Sequence, residues 1–539
     1  MRPFLTLHHP AEARRYYAAG RWREETCYAL LARHAGERPA AIALKDGRRA
    51  LSWAELKAWV DGVGADLRRR GLVPGDRVSI FLSNRAEAVV TFLAAAREGL
   101  ACNPSLHKSY GWRDIGQLVA RLGASALITE PGWGADRGAV DLEREAANIA
   151  GLKVLYTPDR FPDPGANASA PVSDPDRVLY LAFTSGTTGA PKCVMHSHNT
   201  LLANARDLVA DWGHGPDTVL LSLSPLSHHI AWVGVAQWLV AGCAFVSNDP
   251  PAGRSTLDWI IETGASYVMG VPTHAIDVLA QQKAKRLERL GRVSVFYLAG
   301  APIAPALAAA FVAQGIKPQN VYGMTENSSH QYTHPSDDTE TILATCGRGG
   351  AGYQVALFDP ADRNTPVAAG AVGEIGGRGA SLMLGYFGDQ GATEASFNAG
   401  GWFMSGDLGS LDDAGNLKVE GRLKDVIIRG GHNIYPAAIE ALALRHPGVG
   451  QVACFAVADP RLGERVCMAI SGPAAAGDVI EHLIGEGLSP YEAPEYFLRL
   501  EAFPLTASGK ILKRELVGLV QQGRLLPEPI QRPAKKGTS

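Results

Sequence analysis

Short runs of β-branched and aliphatic residues alternate with amphipathic segments over the first four-fifths of the chain. Residues 77–82 indicate a strand and residues 86–98 a helix after it, and residues 178–183 form another strand pattern before a helix that Asn199 or Thr200 can cap. Further strands are predicted at residues 219–223, 267–270 and 293–298. This alternation favours parallel sheets covered by helices, with ligands bound at the Gly- and Pro-rich turns where strands end.

The pattern changes after about residue 421. Residues 436–445 predict a short helix, residues 451–457 and 466–470 predict strands, and residues 478–487 predict a second helix. We therefore expect a small α+β domain at the end of an α/β chain.

Composition and charge restrict the class of protein. A chain of 539 residues with 46% hydrophobic content is too long for one ordinary core and fits two or three lobes. A net charge of -2 gives no general reason to bind nucleic acid or a membrane surface. The longest apolar run, residues 231–246, is shorter than the roughly 20 residues that cross a bilayer. With no visible signal peptide and seven cysteines without a CxxC pair, we expect a cytoplasmic protein with reduced thiols.

The strongest chemical signal is a loop of small and hydroxyl residues that follows the strand ending near residue 183. It has phosphate-loop character because its backbone N–H groups can cradle phosphate oxygens and its lysine adds a cation. The spacing is not that of a Walker loop, which argues against a P-loop kinase. The alternative is a flexible linker, but a linker rarely follows an apolar strand directly. The loop residues concerned are Thr184, Ser185, Gly186, Thr187, Thr188 and Lys192.

This loop and a series of later motifs resemble the adenylate-forming superfamily of acyl-CoA synthetases, peptide-synthetase adenylation domains and luciferases. The resemblance extends from about Trp53 to Glu515 and comes nearest to ligases for cyclohexanecarboxylate, medium-chain or aryl acids. It implies an adenylation domain over residues 1–421, built of helix-covered, mainly parallel sheets and a β subdomain. It also implies a mobile α+β domain over residues 422–526 after a hinge at Lys424. The Pro- and Lys-rich residues 527–539 are expected to be a disordered tail.

The resemblance assigns a nucleotide site. Tyr322 is expected to stack on adenine, Thr325 to contact the α-phosphate, Glu326 to ligate Mg2+, and Asp407 to accept the ribose hydroxyls. Lys510, in the last motif, is expected to be the adenylation lysine, and Thr184, Glu326 and His228 complete the implied catalytic set. The other residues implied to contact the nucleotide are Gly300, Ala301, Pro302, Gly323, Met324 and Arg422.

The resemblance also implies sites for the acid and the thiol. The acid pocket is expected to involve Ser227, His228, His229, Trp232, Gly323 and Asn327. Ser227 stands where many members have a bulky aromatic residue, and Gly323 where acetate-activating members have a pocket-closing Trp, so a larger acid than acetate is expected. For Ser227 the alternative is local packing. The pantetheine tunnel is expected along Gly430, Gly431 and His432, and His432 departs from the more usual Glu.

The implied reaction joins a carboxylic acid to coenzyme A (CoA) with ATP and Mg2+, through an acyl-adenylate, and releases AMP and pyrophosphate. The expected partners are these small molecules, without nucleic acid or membrane insertion, and a homodimer is possible. Two alternatives stay open: loading of a carrier-protein pantetheine, and a catalytically silent nucleotide-binding homologue. A covalent Ser or Cys mechanism is not supported, because no GxSxG elbow with partner residues is apparent.

We predict that Lys510→Ala abolishes adenylate formation but leaves thiolysis of pre-formed acyl-AMP largely intact. The ammonium group is expected to stabilise charge that builds on the α-phosphate only in the first step. Pyrophosphate exchange measures that step, and thioester formation from supplied acyl-AMP measures the second. Equal loss of both half-reactions would contradict the assignment.

Overall fold

The computed structural model describes residues 5–7, 9–136, 140–184, 191–430, 432–505 and 511–530. Helices and strands are numbered in chain order. The helices are α1 (Pro10–Ala18), α2 (Cys27–Glu37), α3 (Trp53–Arg69), α4 (Ala86–Glu98), α5 (Trp112–Leu122), α6 (Leu142–Ala147), α7 (His198–Trp212), α8 (His229–Ala241), α9 (Thr256–Thr263), α10 (Pro272–Lys285), α11 (Pro305–Val312), α12 (Thr339–Ala344), α13 (Gln390–Ala395), α14 (Pro436–Ala443), α15 (Ala476–Gly485) and α16 (Lys513–Gln521).

The first of two large sheets has eight strands and is parallel except at its two edges, where β14 and β2 run antiparallel to their neighbours. Antiparallel edge strands are common on otherwise parallel sheets. In spatial order the strands are β14 (Ser328–Tyr332), β13 (Lys317–Met324), β12 (Val295–Ala299), β11 (Tyr267–Gly270), β9 (Val219–Ser222), β10 (Ala244–Ser247), β1 (Ile42–Lys45) and β2 (Ala50–Ser52).

The second large sheet has six strands and is parallel except for the edge pair β7–β8. Its spatial order is β6 (Val154–Tyr156), β5 (Ala126–Thr129), β3 (Arg77–Phe81), β4 (Ala101–Asn103), β7 (Val178–Thr184) and β8 (Lys192–Ser197).

Two further sheets follow in the chain. An antiparallel sheet runs β15 (Tyr353–Phe358), β16 (Gly373–Gly379), β17 (Phe403–Leu411) and β18 (Leu417–Arg422). The last sheet is built only from residues after 426 and contains β19 (Ile427–Arg429), β20 (His432–Ile434), β21 (Gln451–Asp459), β22 (Gly463–Ser471), β23 (Tyr496–Arg499) and β24 (Glu528–Pro529).

The main core lies between the two large sheets, which share a layer of helices α2, α3, α4, α7 and α8. Strand β3 shows how alternation fills both faces: Val78 and Ile80 face this core, and Phe81 packs on the outer face with α5. Helices α9, α10 and α11 cover the outer face of the eight-stranded sheet. Helix α8 is apolar on all sides because it lies inside the shared layer.

The predicted α/β class, with a large first part and a smaller α+β region at the end, is confirmed by this architecture and by the structural relatives reported below. One local prediction was wrong. Helix α7 is capped by Ser197, whose hydroxyl accepts the N–H of Thr200, and not by Asn199 or Thr200. In the region predicted as a tail, β24 pairs with Tyr496 and Phe497, whereas residues 531–539 lie outside the described residues.

All seven cysteines are free thiols, and only Cys346 is not fully buried. Burial raises the pKa of several of these thiols, that of Cys193 to about 12. No helix in the described part of the chain combines the length and the apolar character that spanning a membrane requires.

We predict that Trp53→Ala lowers the free energy of unfolding by about 3–5 kcal/mol, because removing a buried indole leaves a cavity. Trp53 is 0% exposed and stacks on Trp238, with ring centroids 5.1 Å apart. Urea denaturation followed by far-UV circular dichroism measures the change. Leu526→Ala is the control: Leu526 is 76% exposed, so its removal is expected to change stability by less than about 0.5 kcal/mol. Similar values for both variants would contradict the prediction.

Candidate active site

The carboxyl ends of the parallel strands of the two large sheets lie against each other. Asn84, after β3, donates to the carbonyl of Asn248 (2.9 Å) and accepts the N–H of Leu226 (2.9 Å), and those two residues follow β10 and β9. His107, after β4, has its Nδ1 3.2 Å from the hydroxyl of Ser227. Open α/β sheets bind ligands beyond this edge, so a site here can draw on both sheets.

The turn between β13 and β14 is tightly constrained. A Cβ on Gly323 would lie 1.8 Å from the carbonyl oxygen of Ser328, so only glycine fits there without moving the backbone. Ser328 has a left-handed backbone conformation, with φ at 57°, and the N–H of Met324 donates to Oδ1 of Asn327 at 3.0 Å. These contacts close a short turn that carries residues 325 and 326.

The backbone of this turn is also held from outside. Nε2 of His196 donates to the carbonyl of Thr325 at 2.7 Å, and the N–H of Met383 donates to the carbonyl of Glu326 at 2.7 Å. Burial lowers the pKa of His196 to about 4, so the ring is neutral at pH 7. Its single proton is on Nε2, where it reaches the Thr325 carbonyl, and Nδ1 faces the hydroxyl of Thr200 at 3.0 Å.

Glu326 is 8% exposed, and its carboxylate accepts a hydrogen bond from the hydroxyl of Tyr386 at 2.9 Å. The ammonium of Lys192 lies over the same tyrosine ring, 4.6 Å from its centroid. Burial raises the pKa of Glu326, while the Tyr386 hydrogen bond and the Lys192 charge oppose that rise. A nearby cation would therefore stabilise the ionised carboxylate further.

A second carboxylate is joined to this hairpin. The hydroxyl of Tyr322 donates to Oδ2 of Asp407 at 2.9 Å, and Nε of Arg422 lies 3.3 Å from Oδ1. Asp407 and Arg422 are opposite each other in the β17–β18 register. Because the Arg422 side chain is 45% exposed, this ion pair is open to solvent and contributes at most about 1 kcal/mol. A ligand can therefore replace Arg422 as the partner of Asp407 at little cost in free energy.

The two ends of the predicted phosphate loop lie side by side at the end of β7. Thr184 and Lys192 are paired across the β7–β8 ladder, and the Thr184 hydroxyl lies 3.5 Å from the Lys192 carbonyl. Ser185, Gly186, Thr187 and Thr188 lie outside the described residues. On the neighbouring sheet, the turn of Gly300, Ala301 and Pro302 is exposed directly after β12.

The residues predicted to line the pocket for the carboxylic acid fall into two groups. Ser227 lies beside His107, and the His228 ring stacks on the His107 ring with centroids 4.5 Å apart. His229 and Trp232 point into packed surroundings. Nδ1 of His229 lies 3.1 Å from the hydroxyl of Tyr180, and its Nε2 lies 3.1 Å from the hydroxyl of Ser328.

Trp232 is 1% exposed, and the centroid of its ring lies 4.4 Å from that of the Phe92 ring. Its indole N–H donates to the carbonyl of Leu226 at 2.5 Å. It is therefore a core side chain that supports the segment before His228. Asn327 is likewise buried and has its side chain engaged within the turn.

The predicted hinge and tunnel residues lie at the start of the last part of the chain. Lys424 is in a single 3-10 turn that follows β18 directly, and burial and the charge of Arg422 lower its pKa. Gly430 has a φ of 57°, and the His432 ring meets Tyr491 edge-on at 5.1 Å. Gly431 and Lys510 lie outside the described residues, so their roles stay predictions.

Comparison with protein families now decides the class. The AMP-binding enzyme family model matches residues 31–387, and the model of the AMP-binding enzyme C-terminal domain matches residues 438–510. The chain belongs to the AMP-binding enzyme family. The prediction of an AMP-forming acyl-CoA ligase is thereby confirmed at the level of the family.

Relatives of this AMP-binding enzyme match along almost their whole length. Feruloyl-CoA synthase of Amycolatopsis is 32% identical, over 90% of this chain and 97% of the relative. Enterobactin synthase component E of Escherichia coli is 29% identical, over 94% and 96%. Medium-chain fatty-acid–CoA ligase of Escherichia coli is 28% identical, over 92% and 91%.

Solved structures agree. ATP-bound MatB from Rhodopseudomonas palustris superposes with a TM-score of 0.81 at 26% identity, covering 92% of this chain and 99% of that one. o-Succinylbenzoate CoA synthetase from Bacillus subtilis, solved with its acyl-adenylate OSB-AMP, gives a TM-score of 0.80 at 25% identity, covering 91% and 98%.

Three side chains of this AMP-binding enzyme were not predicted as functional. Tyr386 contacts Glu326, His196 holds the Thr325 carbonyl, and His107 contacts Ser227 and His228. The sequence around Tyr386 has no distinctive spacing. Contacts between distant segments have no local signal in a single sequence.

We predict that Gly323→Ala weakens ATP binding at least tenfold, because the new methyl group would displace the Ser328 carbonyl and with it the turn. Overpacking of this kind costs about 1–3 kcal/mol. Isothermal titration with ATP and urea denaturation measure the two effects. The control is Gly116→Ala, inside α5, where a Cβ meets nothing within 4 Å. That variant is expected to bind ATP normally and to gain up to about 1 kcal/mol. Wild-type ATP affinity for Gly323→Ala would contradict the prediction.

Proposed function

We propose that this AMP-binding enzyme activates a carboxylic acid larger than acetate as its acyl-adenylate and transfers the acyl group to CoA. The observation that carries the proposal is the contact between Tyr322 and Asp407, 85 residues apart in sequence, at 2.9 Å. Glu326 lies in the same hairpin as Tyr322. An aromatic ring and two carboxylates thus lie close together beside this hairpin, which supports a site for a nucleoside triphosphate.

In this proposal the adenine ring lies between Tyr322 and the turn of residues 300–302. Asp407 accepts the ribose hydroxyls in place of its present donors, and Arg422 turns toward the ribose or a phosphate. Lys192 and the loop of residues 184–188 hold the β- and γ-phosphates. The positions of Thr184 and Lys192 at the carboxyl end of β7 support this arrangement.

Glu326 fits a magnesium ion only as one ligand among several. Within the described ranges, no group of three or more His, Cys, Asp or Glu side chains could hold a metal ion. Mg2+ prefers about six oxygens, usually one or two carboxylates plus phosphates and water. A single buried carboxylate beside a triphosphate meets that requirement, and the ion, when bound, neutralises phosphate charge.

Catalysis in this scheme needs no protein nucleophile. The carboxylate of the acid attacks the α-phosphorus, the bond to the β-phosphate oxygen breaks, and pyrophosphate leaves. Lys510 stabilises the charge that builds on the α-phosphate, and Thr325 contacts the same group. The CoA thiol then attacks the acyl carbon and expels AMP, with its pantetheine arm along Gly430, Gly431 and His432 after rotation about Lys424. Location in the cytoplasm and a homodimer stay predictions of the sequence.

The size of the acid rests on Gly323 and Ser227. No side chain projects from Gly323, and the Ser328 carbonyl leaves no room for one, so a tryptophan could not close the pocket from this position without rebuilding the turn. The Ser227 side chain is short and bound to His107. Both features support a pocket with more space than acetate fills.

The test is acid-dependent pyrophosphate exchange with acetate, hexanoate, cyclohexanecarboxylate, benzoate and ferulate, followed by thioester formation with CoA or a holo carrier protein. We expect exchange with at least one larger acid, little with acetate, and thioester with CoA. Acetate as the best acid would contradict the size argument. Thioester on the carrier protein alone would favour the carrier-loading alternative, and no exchange with any acid would favour a silent homologue.

We predict that Asp407→Ala weakens ATP binding about 10- to 100-fold, because hydrogen bonds to a charged group contribute roughly 1.5–3 kcal/mol. Titration calorimetry with ATP and with 2′,3′-dideoxy-ATP measures the effect. The wild type should prefer ATP strongly, and the variant should bind both nucleotides alike. The control is Asp413→Ala, an exposed carboxylate in the β17–β18 loop, which should keep the wild-type preference. An unchanged preference in Asp407→Ala would remove Asp407 from the ribose site.

A further inference from the structure

Tyr386 stands between the two charged side chains that the proposed site uses on the phosphates and the metal. One face of its ring carries the Lys192 ammonium, 4.6 Å from the centroid, and its hydroxyl donates to Oε1 of Glu326 at 2.9 Å. Both charged groups contact the same ring, and without that ring a direct ion pair between them would occupy both groups.

The tyrosine is itself firmly held. It is 5% exposed and packs with Val194, Met383 and Phe403. Its backbone N–H donates to the Thr393 hydroxyl at 2.9 Å, and it forms a β-bridge with Val194, two residues after Lys192. Its position is therefore fixed by the chain on either side and does not depend on the two charges.

The chemistry of the phenol suits this position. A phenol is protonated at neutral pH, so the hydroxyl is a hydrogen-bond donor to the carboxylate. Its bond to Oε1 fixes the rotation of the carboxylate and leaves Oε2 for a further ligand. The ring face attracts the lysine without neutralising it, since a cation–π contact leaves the ammonium protons available to phosphate oxygens.

We infer that Tyr386 is a positioning residue that orients the Glu326 carboxylate toward a nucleotide-bound divalent cation and keeps Lys192 from pairing with that carboxylate. This inference rests on the proposed role of Glu326 as the metal ligand. It assigns two effects to one side chain, and different substitutions separate them. Tyr386→Phe removes only the hydroxyl, whereas Tyr386→Leu removes both the hydroxyl and the separating ring.

The experiment is isothermal titration of ATP into each variant in excess Mg2+ and in EDTA. The dissociation constant in EDTA divided by that in Mg2+ is the ratio that reports how strongly the protein uses the metal. Its measurement requires no turnover. We expect Tyr386→Phe to lower this ratio by roughly three- to tenfold, the effect of one hydrogen bond, and Tyr386→Leu to lower it further. Glu326→Gln is expected to lower it most.

The matched control is Tyr297→Phe, which removes another buried tyrosine hydroxyl, bonded at 2.6 Å to the hydroxyl of Ser329. It should leave the ratio unchanged. A ratio that falls in Glu326→Gln but not in Tyr386→Phe would overturn the inference and leave the proposed function intact. A ratio unchanged in Glu326→Gln would remove the metal role of Glu326, and the inference would fail with it.

Lys192→Met tests whether Tyr386 separates Lys192 from Glu326 and leaves Tyr386 itself unchanged. This variant decides the question if the tyrosine variants do not fold. If Tyr386 keeps the lysine off Glu326, removing the lysine weakens ATP binding about equally with Mg2+ and with EDTA. A clear rise of the ratio in Lys192→Met would show that lysine and carboxylate pair directly, which would overturn the inference.

Discussion

Between β13 and β14 the backbone of Gly323 approaches the carbonyl of Ser328 so closely that the α-carbon can carry only hydrogen on that side. The rest of the candidate site depends on this contact. It closes the turn that presents Thr325 and Glu326, and it leaves Tyr322 directed toward Asp407. A larger residue at position 323 would separate the strands and move all of these groups together.

His107, His196 and His229 are structural donors and acceptors and are not acids or bases at neutral pH. Burial lowers the pKa of His107 and His196 to about 4 and that of His229 well below its usual value. Neutral imidazoles can hold carbonyls and hydroxyls in a water-poor region without the cost of a buried charge. This agrees with a reaction in which the substrate's own carboxylate, already ionised, is the nucleophile and no general base is needed.

Alternation of strands and helices predicted the α/β class, and several element bounds, such as those of α4 and β11, agree with the sequence interpretation. The motifs also predicted Tyr322, Glu326 and Asp407 as residues of the nucleotide site, and the fold brings these three residues close together. The cap of α7 was missed because several adjacent residues can cap, and only the backbone decides that Ser197 does. Tyr386 was missed because its partner is 60 residues away, and such a contact exists only after folding.

The burial of the cysteines has a consequence for an enzyme that makes activated acyl groups. Acyl-adenylates and thioesters acylate any accessible thiolate, so a reactive cysteine near the site would cause self-acylation. Cys193 is adjacent to Lys192 in β8, yet it is 1% exposed and burial raises its pKa to about 12. Its sulfur is therefore both shielded and protonated. The protein can therefore hold electrophilic intermediates beside one of its own thiols, because that thiol does not compete with the incoming acceptor.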